Sequence, residues 1–275
     1  MAKVIAITSG KGGVGKTTFC VNFGYALSQK GYKVLMIDGD FGLNNLDVVM
    51  GIENKIVWDF IDIIENKCRT KQALISDFNN DKLWVLPSNH TYSTFEVKDW
   101  HIKKILEDVG DSFDFVLIDC PAGIDFSLSK ILLNVDSSIV VTTPHISAIR
   151  DADKMVSVLK SFFVDEIGVV VNRARGDMIL NGEMITIEAI QEHLNVDVVG
   201  VVPESDNVSL QLMVGGAIKY TSDIELSYHL IVDYLLNGGK EIFDCTKKYK
   251  GFIGNIRKSL RRMIWYGKYA INMRK

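Results

Sequence analysis

The chain has 275 residues, of which 47% are hydrophobic and 24% are charged, and its formal net charge is −3. That length supports one large domain or two small ones, and the composition excludes an intrinsically disordered chain. No stretch approaches the ~20 continuous apolar residues of a membrane span, and the first residues lack the features of a signal peptide. The four scattered cysteines (Cys20, Cys68, Cys120 and Cys245) have no paired spacing, which disfavours zinc and disulfide frameworks and indicates a reducing, cytoplasmic compartment.

The chain begins with a predicted strand, a glycine-rich loop and a predicted helix. Lys3–Thr8 is typical of a buried strand, and Phe19–Gln29 is typical of a helix. Between them, Gly10, four further residues and Gly15-Lys16-Thr17 have the spacing of a phosphate-binding loop, whose backbone N–H groups and helix N-terminus attract anions. We predict that Lys16 binds the β- and γ-phosphates and that Thr17 binds Mg²⁺. The predicted nucleotide contacts in this loop are Gly10, Lys11, Gly12, Gly13, Val14, Gly15, Lys16, Thr17 and Thr18.

Strand-like and helix-like segments alternate along the rest of the chain. The strand-like runs are rich in Val and Ile, which is typical of a parallel sheet covered on both faces. They are Lys33–Ile37, Leu83–Leu86, Phe113–Ile118, Ser138–Thr142, Gly168–Val171 and Val196–Val202. The helix-like segments are Val57–Glu65, Val97–Val109, Ala148–Phe162, Glu183–His193 and Ile224–Leu236. The sequence therefore predicts an α/β fold with a mostly parallel, doubly wound sheet over residues 1–240, functional loops at the carboxyl ends of its strands, and a separate tail over 241–275.

Acidic residues follow two of these predicted strands. Asp38 and Asp40 come directly after the second strand, where two carboxylates can organise Mg²⁺ and a nucleophilic water; an Asp-Gly-Asp sequence by itself is an ordinary turn. Asp119 ends an apolar strand and is the natural acidic partner of the magnesium ion at a phosphate loop, although a capping Asp is also common in turns. Beside a phosphate loop we favour the functional interpretation of both segments.

Two later strands end in residues suited to the nucleotide base. The Asn172 amide can donate to adenine and accept from it, and Pro203 follows the next strand and can close that pocket with backbone. A capping Asn and a turn Pro are the alternative interpretations. Asp151 and Asp153 lie near the start of a predicted helix, where acids suit the helix dipole or face a partner. The five histidines show no metal-ligand spacing.

Together these motifs resemble the deviant Walker A ATPases, and within them the MinD family of septum-site-determining ATPases. Lys11, a second lysine inside the phosphate loop, marks the deviant group. The segments 11–17, 38–47 and 118–123 carry the closer resemblance to MinD. The resemblance extends from Ala2 to about Leu236 and resumes at 250–253.

The resemblance implies an activity, cofactors and partners. It implies a Mg²⁺-dependent ATPase that hydrolyses ATP to ADP as an ATP-dependent homodimer, with Lys11 of each subunit reaching its partner's nucleotide. It implies a role in positioning the division site by recruiting a division inhibitor, with regulators such as MinC and MinE at the helix that carries Asp151 and Asp153. By the same resemblance, Lys11, Lys16 and Asp40 are catalytic, with Asp40 orienting the attacking water; Thr17, Asp38 and Asp119 serve the metal; and Asn172 recognises adenine.

The tail differs sharply in charge from the rest of the chain. Residues 247–275 hold ten Lys/Arg and no Asp/Glu, which leaves 21 basic and 34 acidic residues before them, a net charge of −13. On an ideal helix six apolar residues of the tail fall within a sector of about 100°, opposite its basic residues; the six are Ile253, Ile256, Leu260, Met263, Ile264 and Ile271. This pattern predicts an amphipathic helix lying in the plane of an anionic membrane, reversibly, on the inner face of the cell membrane. Its predicted membrane contacts are Phe252, Ile253, Ile256, Leu260, Met263 and Ile264.

Other interpretations of the tail and of the ATPase remain open. The tail can instead pack on the acidic body or bind nucleic acid as a basic arm, and both alternatives are less favoured than the membrane. The ATPase can serve another cargo, as a flagellar-number regulator or a DNA-partition ATPase does. A metabolic enzyme or a metal-cluster carrier shares the same predicted fold, and the lack of paired cysteines disfavours the carrier.

Overall fold

An eight-stranded sheet forms the centre of the part of the chain that the structure describes. The computed structural model describes residues 1–41, 45–77, 80–88, 96–205 and 222–259. The strand order is β3-β4-β2-β5-β1-β6-β7-β8, and all neighbours run parallel except the antiparallel edge pair β3–β4. The strands are β1 Lys3–Thr8, β2 Val34–Asp38, β3 Ile75–Asp77, β4 Asn80–Leu86, β5 Phe115–Asp119, β6 Ser137–Thr142, β7 Glu166–Ala174 and β8 Val198–Pro203.

Helices cover both faces of this sheet. On one face, Phe19 and Phe23 of α1 (Lys16–Gln29) pack with Tyr228 of α10 (Ser222–Asn237). On the other face, Ile105 of α5 (Asp99–Val109) and Met155 of α7 (Ile146–Ser161) belong to a second hydrophobic core. The predicted doubly wound α/β fold is therefore confirmed. The helices are α1 Lys16–Gln29, α2 Leu46–Met50, α3 Phe60–Ile64, α4 Thr70–Ala73, α5 Asp99–Val109, α6 Phe126–Leu132, α7 Ile146–Ser161, α8 Gly176–Leu180, α9 Ile187–Leu194 and α10 Ser222–Asn237, with short 3₁₀ turns at Glu53–Lys55 and Lys247–Tyr249.

Local hydrogen bonds explain where two helices start later than predicted. The Asp59 side chain accepts hydrogen bonds from the backbone N–H groups of Ile61 and Asp62, so α3 begins after Asp59. The Thr186 hydroxyl accepts from Ala189 N–H in the same way, which starts α9 at Ile187 rather than at Glu183. In both cases the apolar pattern extends further than the helix, and the capping residue sets the boundary.

The chain after α10 returns to the body before it becomes helical again. Cys245 and Tyr249 are buried, and Ile242 and Phe243 pack against the core, so residues 242–250, called the strap, lie on the domain beside α8. Residues 251–259 are helical. The predicted contacts Leu260, Met263 and Ile264 lie outside the described residues, and the domain division at residue 240 stays a prediction. No helix in the described ranges has the length and apolar character that crossing a membrane requires.

Candidate active site

The predicted phosphate loop connects β1 to α1 and is folded around its glycines. Gly15 is the residue before α1 and has a φ of 90°, which side-chain-bearing residues rarely adopt. A Cβ added to Gly15 would lie 2.5 Å from Asn172 Nδ2, and one added to Gly10 would lie 2.0 Å from the Asp151 carbonyl oxygen. The loop is therefore held between the end of β7 and the first turns of α7. The N-terminal N–H groups of α1 lie directly after this loop, in the arrangement that binds phosphate.

Strand register brings the predicted lysine and the two predicted metal aspartates together. Asp38 at the end of β2 pairs with Asp119 at the end of β5, and Asp119 also pairs with Ile7 of β1. Lys16, the first residue of α1, reaches into this space, and its Nζ lies 2.6 Å from Asp119 Oδ1. All three side chains are buried.

Burial and neighbouring charges shift the pKa values of Asp38 and Lys16. Burial, together with the neighbouring Asp119 carboxylate, raises the pKa of Asp38 to about 7, against the opposing effect of the hydrogen bonds that Asp38 accepts from Asp40, Asn45 and Leu46 N–H. Burial alone would lower the pKa of Lys16, but its ion pair with Asp119 outweighs that effect and the pKa is raised. Lys16 and Asp119 thus form an ion pair, and no cation among the described residues pairs with the Asp38 carboxylate beside them.

This donor set fits magnesium shared with a nucleotide. In the described part of the chain, no three His, Cys, Asp or Glu side chains are grouped so as to hold a metal ion by themselves. Mg²⁺ is usually bound by one or two carboxylates together with water and substrate phosphates. Asp38, Asp119 and the hydroxyl of Thr17, which follows Lys16 in α1, provide oxygen ligands of that kind.

The other two predicted catalytic residues lie at the rim of the site. The Asp40 N–H donates to Asp38 Oδ1 at 3.0 Å, and Ser88 Oγ donates to the Asp40 carbonyl at 3.3 Å, so the backbone of Asp40 is fixed and its side chain is half-buried. Lys11 is exposed on the phosphate loop. Asp40 is therefore close to the two buried aspartates in the fold, whereas Lys11 faces outward.

A cleft beyond the phosphate loop contains both residues predicted for the base. Asn172 and Pro203 line it together with Gly15 and Thr18. Asn172 Nδ2 donates to the Val14 carbonyl at 2.8 Å and its Oδ1 accepts from Arg173 N–H at 2.9 Å, which ties the end of β7 to the loop. The cleft also contains residues that sequence reasoning missed, because no motif singles them out: Asn22, Arg173, Glu204, Ile224 and Tyr228.

The predicted partner residues lie on α7, close to this site. Asp151 and Asp153 are half-buried, and Asp151 Oδ1 lies 3.4 Å from Lys154 Nζ. The backbone of Asp151 packs against Gly10, a contact that nothing in the sequence signals. A molecule that bound this end of α7 would therefore contact a helix that touches the phosphate loop.

A doubly wound sheet with a phosphate loop after its central strand, and with buried aspartates at neighbouring strand ends, defines a P-loop ATPase. A family model described as an AAA domain matches residues 2–166. The MinD of Bacillus subtilis is 43% identical over 210 residues, which are 76% of this chain and 78% of that relative. The chain belongs to the MinD family of septum-site-determining ATPases, and the predicted ATPase class is confirmed.

Solved structures agree with this assignment. The MinD structure of Aquifex aeolicus matches with a TM-score of 0.79 and 33% identity, covering 88% of this chain and 99% of that one. A MinC:MinD complex from Aquifex aeolicus matches with a TM-score of 0.78 and 34% identity over 86% and 96% of the two chains. The MinD of Pyrococcus horikoshii complexed with Mg-ADP matches with a TM-score of 0.74 and 26% identity over 87% and 98%.

Proposed function

We propose that this ATPase is an ATP-driven membrane switch that helps to position the division site by recruiting a division inhibitor. Its substrate is ATP with Mg²⁺, as the Mg-ADP bound by the Pyrococcus relative supports. ATP joins two subunits, the dimer presents two tails to an anionic membrane, and hydrolysis separates the subunits and releases them. A MinC-like inhibitor is the partner that the Aquifex complex supports, and a MinE-like regulator is the second expected partner.

The chemical step follows from the buried charges of the site. Lys16 exchanges Asp119 for the β- and γ-phosphates, where its charge stabilises the transferring phosphoryl group. Mg²⁺ held by Thr17, Asp38 and Asp119 would neutralise charge that develops on the phosphates. Asp40 orients the attacking water from the rim of the site.

An exposed apolar surface beside the phosphate loop supports the homodimer. A Cβ at Gly12 would meet Ala122 at 3.9 Å, so the phosphate loop lies next to the segment that follows β5. In that segment Ile124 is 53% exposed and Phe126 is 74% exposed. Large apolar side chains left in solvent next to an exposed Lys11 are typical of a surface that a partner covers. In a dimer closed on this face, each Lys11 can reach the partner's nucleotide.

One observation carries the membrane part of this proposal: an unburied apolar stripe on the helix that follows the strap. Phe252, Ile253 and Ile256 are 82%, 67% and 48% exposed, and on an ideal helix they lie within about 100° of each other. Arg257 and Lys258 follow directly and attract anionic headgroups, so this helix has both elements of an interfacial anchor. The apolar stripe favours a membrane over nucleic acid, because a nucleic acid would attract the basic residues alone and leave Phe252, Ile253 and Ile256 in water.

Sedimentation of the protein with anionic liposomes in the presence of ATP tests this proposal. We expect Ile253→Glu to lower the bound fraction at least severalfold, because a charge replaces an apolar contact in the bilayer interface. Phe163→Glu is the matched control, since Phe163 is an 89% exposed aromatic residue on the body, and it should bind like the unmodified chain. If Ile253→Glu and Phe163→Glu bound liposomes equally, the tail helix would not be the membrane anchor.

A further inference from the structure

A basic groove lies between the end of α3, the short helix α4 and the middle of α5. It has a volume of about 980 Å³, and none of its described lining residues belongs to the candidate active site. The lining includes one acidic residue, Asp108, and four basic ones: Lys67, Arg69, Lys71 and Lys104. A net charge of +3 is therefore gathered in one groove of a chain that carries −13 before residue 247.

Hydrogen bonds hold the walls of this groove in place. The hydroxyl of Thr70, a buried residue, donates to Asp108 Oδ2 at 2.6 Å and so joins α4 to α5. The Arg69 N–H donates to the Gln72 side chain at 3.0 Å, which fixes the backbone at the start of α4. The groove is thus built by the fold, and the carboxylate in its lining already has a hydrogen-bond partner.

Most of the positive charge in the groove is not balanced by neighbouring acids. Lys67 is paired, because its Nζ lies 3.1 Å from Asp62 and 2.5 Å from Glu65. The other three cations form no ion pair with a residue that the structure describes: Arg69, Lys71 and Lys104. Like charges placed side by side repel each other, and a cleft lined by one sign of charge concentrates the field that attracts an opposite charge. A bound anion would offset that repulsion.

The chemistry of the lining indicates which kind of anion fits. The planar guanidinium of Arg69 can bind a phosphate through two hydrogen bonds, and several cations together suit a multiply charged ligand. Among the described lining residues Ile63 is the only aliphatic side chain, and none is aromatic. A protein partner usually needs an apolar anchor, and nucleic acid bases need aromatic rings on which to stack. Phosphate groups need neither.

We propose that this groove is a second anion site, separate from the phosphate loop, which binds a ligand that presents several phosphate groups at once. Arg69 from the α4 wall and Lys104 from the α5 wall bind those phosphates. An anionic lipid surface and a soluble molecule with several phosphates share this chemistry. Binding at the groove requires neither the nucleotide, nor the dimer, nor the tail.

The test measures the affinity of the full-length chain for inositol hexakisphosphate by calorimetry, with the phosphate loop saturated by ADP and Mg²⁺. We expect Lys104→Glu to weaken binding about tenfold or more, because it removes a charge-assisted contact and adds a repelling carboxylate. Lys103→Glu is the matched control. Lys103 is the exposed neighbour of Lys104 on α5 and does not line the groove, so the same change in net charge should alter the affinity only slightly.

Sedimentation of both variants with phosphatidylglycerol liposomes in ATP distinguishes the two sources of phosphate. If Lys104→Glu binds liposomes more weakly than Lys103→Glu, the ligand is a lipid headgroup; if it loses affinity for inositol hexakisphosphate alone, the ligand is soluble. Equal behaviour of the two variants towards both probes would show that the groove binds neither, and the proposal would be wrong. It would also be wrong if a hexaglutamate peptide bound as tightly as inositol hexakisphosphate with the same loss in Lys104→Glu, since the groove would then take an acidic peptide.

Discussion

Three charged side chains, Lys16, Asp38 and Asp119, share one buried space at the ends of β2 and β5. Lys16 balances Asp119 through a 2.6 Å ion pair, and Asp38 is left to the backbone N–H groups around it. The Asp38 carboxyl therefore stays protonated until the pH approaches 7, and it releases its proton when a cation binds to it. Magnesium binding at the proposed site would therefore release a proton from Asp38.

The raised pKa of Asp38 makes the stability of the nucleotide-free and Mg²⁺-free protein depend on pH. Between pH 4 and pH 7 the folded chain holds a proton on Asp38 that the unfolded chain has released, so the free energy of unfolding falls as pH rises. The expected slope from this group is about 1.4 kcal/mol per pH unit. Asp38→Asn should therefore match the unmodified chain near pH 4 and exceed it in stability at pH 8.

Denaturant unfolding at pH 4.5, 6 and 8 measures this difference. Asp111→Asn, which changes an exposed aspartate, is the control and should follow the unmodified chain at every pH. Parallel curves for Asp38→Asn and the unmodified chain would show that Asp38 titrates normally in the folded protein.

Some residues of the site could be predicted from the sequence, and others could not. Gly10 to Thr18, Asp38 and Asp119 could be predicted because phosphate binding requires those residue types at that spacing. Asn22 could not, because an asparagine inside a helix has no special meaning until the fold places β7, β8 and α10 around it. The contact between Gly10 and the Asp151 backbone was equally hidden, since it joins residues 141 positions apart.

At the scale of elements, burial decided what the sequence could predict. The central strands β1, β2, β5 and β6 are buried on both faces and stand out as apolar runs. The edge strand β3 has three partly exposed residues and no such run, and the short helices α6 and α8 are equally weak in pattern. The strap has no hydrophobic periodicity from which its position could be predicted. Individual contacts hold it on the body, among them the 2.7 Å ion pair between Lys248 and Asp223 at the start of α10.

At the same scale, a substitution at Gly176 tests whether packing against α8 holds the strap in place. A Cβ at this residue of α8 would lie 2.0 Å from the Cys245 carbonyl oxygen, so backbone on one side or the other must move. We expect Gly176→Ala to destabilise the protein by about 1–3 kcal/mol through overpacking and to speed hydrogen exchange over residues 243–250. Leu180→Ala, a change at an exposed residue of the same helix, should leave that exchange unchanged. Unaltered protection of the strap in Gly176→Ala would mean that it does not depend on this contact.

At the scale of the whole molecule, the opposite charges of the body and the tail both act on the proposed membrane binding. The net charge of −13 before residue 247 is repelled by anionic lipid, while the ten basic residues of 247–275 are attracted. One short amphipathic helix binds weakly against that repulsion, and two helices on a dimer gain avidity without any new contact. In the proposed switch, the change from one tail to two would therefore convert nucleotide state into membrane residence. Raising the salt concentration should weaken binding, because it screens the attraction of the tail for the lipid.

The most direct test of this account compares the same protein with ATP and with ADP in sedimentation with anionic liposomes, beside Lys11→Ala with ATP. Lys11 is exposed, so its removal should leave the fold intact and act only through the partner subunit. We expect the unmodified chain to pellet with liposomes in ATP. In ADP the unmodified chain should stay in the supernatant, and so should Lys11→Ala in ATP. Equal pelleting in ATP and ADP, or normal ATP-dependent pelleting of Lys11→Ala, would contradict a switch built on an ATP-bridged dimer.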